Sequence, residues 1–183
     1  VYCNYQGLSM NQKLLNEYFA SVWKPSTSGF GETGFNLANE VKDDEWVLDV
    51  GCGYHPYKDL IKNIVGIDPA NDAADHKEQI EFFDTDQRFD VAFCLGSLNF
   101  GDKTVVEYQI GRIMRLMKPK SRIYWRCNPG NYDHNNQEQY QIQFYPWREV
   151  DHYLMAPQWG YRVEVCKRDS GYKNRIYAVW TRE

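Results

Sequence analysis

Apolar and polar positions alternate along this chain in blocks that predict an ordered series of strands and helices. Leu14, Leu15, Tyr18, Phe19 and Val22 recur at helical spacing within residues 8–23, and Pro25 stops that pattern, which predicts an N-terminal helix. Residues 24–36 are rich in Gly, Ser and Thr and read as a flexible loop, followed by a short helix over 37–41. Short apolar runs then fall at 47–50, 64–67, 80–83, 89–95 and 122–127, each of a length suited to a strand. Between the last two runs, Val105, Val106, Ile110, Ile113, Met114 and Met117 mark an amphipathic helix over 104–117, and Pro119 and Lys120 turn the chain into the fifth strand.

Alternating strands and helices with right-handed crossovers imply a mostly parallel sheet covered by helices on both faces, an α/β fold. The last third differs. A polar stretch at 131–141 precedes a short helix within 144–155, and two alternating runs, 161–168 and 174–180, join through Ser170-Gly171 as a hairpin. The expected organisation is an N-terminal helix and flexible cap over 1–36 and one domain over 37–183.

Composition narrows the class. A chain of 183 residues buries roughly 70% of its unfolded surface, enough for one core without disulfides. No apolar run approaches the roughly 20 residues needed to cross a bilayer, and the first residues carry no basic or apolar targeting pattern. The absent Met points to trimming. A net charge of -4 disfavours a nucleic-acid partner, since no broad basic face is available to neutralise phosphates. The five cysteines lie 33 to 49 residues apart, without metal or redox spacing. They read as small core hydrophobes in a reducing, cytoplasmic compartment. His76 and His152 fall in polar segments and read as surface residues, and no spacing among the four histidines makes a metal site.

The chemistry concentrates at strand ends. The first strand runs through Asp49 into Gly51, Cys52 and Gly53, and the second ends nineteen residues later at Asp68, followed by Pro69. Glycines there let a ligand approach the backbone, a following helix start would offer free N–H groups, and a carboxylate matches the two donors of a vicinal diol. Asp68 therefore suits a ribose. Simpler roles stay open: Asp49 could cap the glycine turn, Asp68 a helix with Pro69 at its first position, and Asp84 a loop turn. A dinucleotide fingerprint would need glycine at position 56, which is Pro56.

These residues resemble the class I (Rossmann-like) S-adenosylmethionine-dependent methyltransferases, whose first motif places an acid two residues before a Gly-x-Gly turn. The resemblance covers about residues 37 to 183. It implies a seven-stranded, mostly parallel sheet with the last strand antiparallel, and S-adenosylmethionine as cofactor with S-adenosylhomocysteine as product. It also implies that Asp49, Gly51, Cys52 and Gly53 meet the methionine end, and that Asp68 and Pro69 meet the ribose. Phe83 and Asp84 would meet the adenine, and Leu95 and Gly96 would line the site after strand four. His55 stands where the family often has a third glycine, and either crowds the turn or reaches the ligand.

The expected activity is in-line methyl transfer to a small molecule or a side chain. His134, beside Asp133 in the loop after the fifth strand, is the candidate base. Amino methylation of DNA is disfavoured, because Cys94-Leu95-Gly96-Ser97 replaces the Asn/Asp-Pro-Pro-aromatic motif those enzymes carry after strand four. Tyr5, Tyr18, Phe30, Phe35, Tyr132, Tyr140 and Trp147 are candidate pocket walls. Two other functions compete: a non-catalytic adenosyl-binding module that activates a partner, and a non-methylating enzyme that uses S-adenosylmethionine. The sequence leaves the oligomeric state open.

Overall fold

A computed structural model describes residues 11–24, 30–130, 138–172 and 174–183. Six strands form one sheet: β1 (Val47–Val50), β2 (Ile64–Ile67), β3 (Phe89–Leu95), β4 (Met117–Cys127), β5 (Arg162–Arg168) and β6 (Ile176–Arg182). Their order is β2-β1-β3-β4-β6-β5. The first four are parallel, and β6 enters antiparallel between β4 and β5. The hairpin anticipated over 161–180 is thus present, with its second strand on the inside. Three α-helices accompany the sheet: α1 (Gln12–Ser21), α2 (Lys103–Leu116) and α3 (Glu149–Met155). Strand order reverses at β1, which opens a crevice at the carboxyl ends of β1 and β3.

Alternation along the strands builds two cores. Leu48, Ala92, Cys94, Ile123, Trp125, Ala178 and Trp180 face one side, where α2 adds Val106, Ile110 and Ile113 at helical spacing. Each such buried aliphatic side chain contributes about 1.5 to 3 kcal/mol. Asp102 fixes the start of α2 by accepting from the Val105 amide at 3.0 Å. Val47, Val91, Phe93, Tyr124, Tyr177 and Val179 face the other side.

That second side differs from expectation. Among the described residues no α-helix follows β1; Leu37 from a 3-10 turn (Phe35–Glu40) and Tyr57 and Ile61 from consecutive tight turns cover the face instead. Pro56 lacks an amide and disfavours helical backbone at the residue before it, and His55 is in the left-handed region at φ 54°. The chain advances by short bonds such as His55 N–H to Cys52 O and Lys58 N–H to His55 O.

The expected strand at 80–83 is not formed either. Phe82 and Phe83 both donate backbone bonds to Gln79 O, making a turn that buries Ile80 and Phe83 and leaves Phe82 exposed. Ile80 and Phe83 are three apart, a spacing that puts both on one side of a turn but on opposite faces of a strand. Beside β2 the position is held by a single parallel bridge between Ile67 and His76. Hence six strands stand where seven were anticipated.

His152 is also corrected. It is fully buried on α3, stacked on Trp147 at 4.9 Å between ring centroids, and its Nδ1 accepts from Trp180 Nε1 at 3.1 Å. Burial pushes its pKa down to about 4. Of the cysteines, Cys94 and Cys127 are core residues, and Cys166 is half-buried.

Candidate active site

A cavity of about 830 Å³ opens at the carboxyl ends of β1 to β4. Its floor is the turn after β1. Gly51 sits at φ 67°, and a Cβ there would come 2.3 Å from the Ser97 Cβ, so glycine is required both by conformation and by the loop packed against it. The Gly51 and Cys52 amides donate to Ile67 O, which ties the turn to the end of β2.

Asp49 lies at the end of β1, 3% exposed and lining the cavity. Burial pushes its carboxyl up to about 7; Arg126 opposes that shift and the charge of Asp68 adds to it. Asp68 is half-buried at the cavity edge. Its Oδ2 accepts from Gly53 N at 3.0 Å, and its Oδ1 from Ala70 N at 2.8 Å and Asn71 N at 2.9 Å. It caps the turn that follows, but no helix begins there. Three of the roughly four acceptor sites of a carboxylate are thus occupied by backbone.

His55 does not line the cavity. Its buried ring lies against β2, where a Cβ on Gly66 would meet Nε2 at 2.6 Å, and Nε2 pairs with Asp75 Oδ2 at 2.8 Å. Burial raises the Asp75 carboxyl, yet the Gly66 amide, Lys58 and His55 together hold it at about 2. His55 Nδ1 is 3.9 Å from Asp49 Oδ2, too far for a hydrogen bond. The residue in the third-glycine position therefore braces β2.

Cys52, Gly53, Pro69, Leu95 and Gly96 line the cavity. Phe83 and Asp84 do not: Phe83 is a core residue packed on His76, and Asp84 is exposed. Gln79, Ile80 and Glu81 take that wall instead, with Glu81 Oε1 accepting from Gln109 Nε2 at 2.7 Å. The displacement follows from the turn at 80–83. His134 and Asp133, with Tyr5 and Tyr132, lie outside the described residues. Tyr18, Phe30 and Phe35 line the cavity, Tyr140 packs on Tyr18, and Trp147 belongs to the core.

Arg126, a lone cation in the aromatic run of β4, carries no motif that marks it in the sequence. It is half-buried, lines the cavity, donates to Leu95 O at 2.6 Å and lies 3.7 Å from the centre of the Phe30 ring. Residues 30–34 are pinned over this end of the cavity. Asp169 accepts from Gly31 N, Thr33 Oγ1 and the Gly171 and Tyr172 amides, while Tyr57 Oη donates to Thr33 O and Gly34 O. Gly31 packs backbone to backbone on Gly171, where a Cβ on Gly31 would lie 2.5 Å from the Gly171 nitrogen.

Solved structures share this architecture. The Burkholderia thailandensis 1,6-didemethyltoxoflavin-N1-methyltransferase, with bound 1,6-didemethyltoxoflavin and S-adenosylhomocysteine, superposes at TM-score 0.71 with 14% identity, covering 100% of this chain and 98% of that one. The magnesium protoporphyrin IX methyltransferase from Synechocystis, with bound S-adenosylhomocysteine, gives 0.65 with 12% identity over 94% and 99%. The N-methyltransferase NodS from Bradyrhizobium japonicum, in complex with S-adenosylhomocysteine, gives 0.59 with 14% identity over 80% and 82%. This is the class I methyltransferase fold. No protein-family model and no curated protein sequence matches the chain. Within the methyltransferase fold, the cavity occupies the crevice where strand order reverses, and the antiparallel β6 lies beside β4, the strand that carries Arg126.

Proposed function

We propose that the protein is an S-adenosylmethionine-dependent methyltransferase acting on a small molecule or a side chain. The observation that carries this reading is the convergence of Asp49, Gly51, Gly53, Asp68 and Gly96 on one cavity at the strand-order reversal. The residues fit the cofactor. A Cβ at position 51 would drive the turn against Ser97, which also lines the cavity, and a buried carboxyl at Asp49 lines the space a cationic amino group would occupy. Bound there, S-adenosylmethionine supplies a methyl group already activated on a sulfonium.

The chain's own task is then positioning. Asp49 holds the amino end, and the glycine turn lets the backbone approach the tail. Asp68 would accept from a ribose hydroxyl through its remaining lone pair. Ile80 and Gln79 wall the base. Alignment of donor and acceptor supplies several of the roughly 7 to 11 kcal/mol that proximity can contribute. Helix α1 and residues 30–34 act as a cap, of which residues 30–34 exclude water from the acceptor end. His134 is retained as the candidate base for an acceptor that must lose a proton.

Small-molecule acceptors are favoured by the size of the cavity, which is at the upper end of the roughly 300 to 1,000 Å³ range of ligand pockets and leaves room beside a cofactor. The solved structures include one with bound 1,6-didemethyltoxoflavin and a magnesium protoporphyrin IX methyltransferase, both named for small molecules. Calorimetry with S-adenosylmethionine, S-adenosylhomocysteine and nicotinamide adenine dinucleotide tests the reading. The two adenosyl ligands should bind and the dinucleotide should not, and Asp68→Ala should weaken adenosyl binding by roughly tenfold, about 1.4 kcal/mol. Unchanged binding in that variant would refute the pocket. Transfer of labelled methyl to an acceptor separates an enzyme from a binding module, which would bind the cofactor and transfer nothing.

A further inference from the structure

We infer that the methyl acceptor is a small organic acid whose anionic group is held by Arg126. This inference rests on the methyltransferase reading and names the substrate class of the same site.

Arg126 is a cation without an ion pair: among the described residues no carboxylate forms a salt bridge with it. One nitrogen donates to the Leu95 carbonyl, and Phe30 covers a face of the guanidinium. Two acids influence it electrostatically. Both oxygens of Asp169 accept from the cap and the hairpin, and Asp49, on β1 and lining the same cavity, makes neither a hydrogen bond nor a salt bridge with it. A guanidinium taken out of water without a counter-charge is costly, and burial lowers its pKa. An anion delivered into the cavity removes that cost, and a carboxylate matches the guanidinium fork with two parallel hydrogen bonds.

Position assigns the anion to the acceptor. Arg126 projects from β4, which β3 separates from the β1 and β2 ends that carry Asp49 and Asp68, and it is roofed by Phe30 of the cap. Phe30 and Tyr57 line the same end of the cavity, so the wall around the cation is aromatic. Such a site favours a compact acid with an apolar or aromatic body. The cofactor's own carboxylate is the other anion able to reach this guanidinium, and the experiment separates the two.

The probes are benzoate and benzylamine, titrated by calorimetry or ligand-observed NMR into protein saturated with S-adenosylhomocysteine. Benzoate should bind roughly tenfold or more tightly than benzylamine, and Arg126→Gln should erase that preference while leaving S-adenosylhomocysteine affinity within about threefold. Arg126→Lys should keep part of the preference. If Arg126→Gln fails to fold, the wild-type comparison and the Lys variant decide the matter. Equal binding of benzoate and benzylamine by the wild type would overturn the inference. So would a tenfold loss of S-adenosylhomocysteine affinity in Arg126→Gln without a matching loss for 5′-methylthioadenosine, which lacks the carboxylate; the anion would then be the cofactor's. Failure of the wild type to bind S-adenosylhomocysteine would overturn the methyltransferase reading and this inference with it.

Discussion

Burial pushes the Asp49 carboxyl up to about 7, so it is mostly protonated below neutral pH, whereas a bound ammonium requires it ionised. Adenosyl binding should therefore expel a proton below about pH 7, and affinity should rise from pH 5 to pH 7 and then level off. Calorimetry at pH 6 in buffers of different ionisation enthalpy should give buffer-dependent heats, and Asp49→Asn should abolish that dependence. Much of this site was legible at the residue level. Acids and glycines at the ends of two apolar runs can hardly point anywhere but the crevice, and the structure brings Asp49, Gly51, Gly53 and Asp68 to one cavity together with Leu95 and Gly96. Arg126 was missed because Tyr124 and Trp125 mark its strand as packing, and a single cation among them resembles an edge residue. His55 could not be resolved from sequence, because its role depends on Gly66 and Asp75, which only the fold brings to it.

At the scale of elements, the hairpin β5–β6 both completes the sheet and holds the cap. Asp169 is its hinge point, fully buried and accepting from both segments. Asp169→Ala leaves several donors unsatisfied and should cost on the order of 3 kcal/mol in urea melts. Amide exchange at Gly31 should accelerate far more than exchange within α2. The strands β1 to β3 and helix α2 were legible because their apolar periodicity is strong and their boundaries are punctuated, whereas β4 begins at Met117 and runs through Pro119 and Lys120, where a turn was expected. Residues 80–83 were not, since four residues with three apolar side chains satisfy a buried strand and a buried turn equally. The polar segment before them decides the outcome: Asp68 and Asn71 spend their side chains on successive amides and leave the chain in turns rather than extended. The same ambiguity displaced Phe83 and Asp84 from the site.

For the whole molecule, two buried groups give stability opposite dependences on pH. Asp49 has a folded pKa of about 7, above its unfolded value, so its contribution is complete below about pH 4 and lost as pH rises through 7. His152 has a folded pKa of about 4, below its unfolded value, so its contribution is complete above about pH 6.5 and lost as pH falls through 4. Between pH 4 and 6.5 the two slopes oppose, and wild-type stability by denaturant melts should be nearly flat there. Asp49→Asn should expose a steady loss on acidification across that window. Below pH 4, Glu32 and Asp75, each held at about 2, add a further loss as they protonate. A larger consequence follows from the bare-backbone contact between Gly31 and Gly171, remote from every group assigned to the cofactor. One methyl group, introduced by Gly31→Ala, would wedge the roof off its support without altering a single lining side chain. Stopped-flow release of S-adenosylhomocysteine should then speed up, making ligand residence time adjustable separately from recognition.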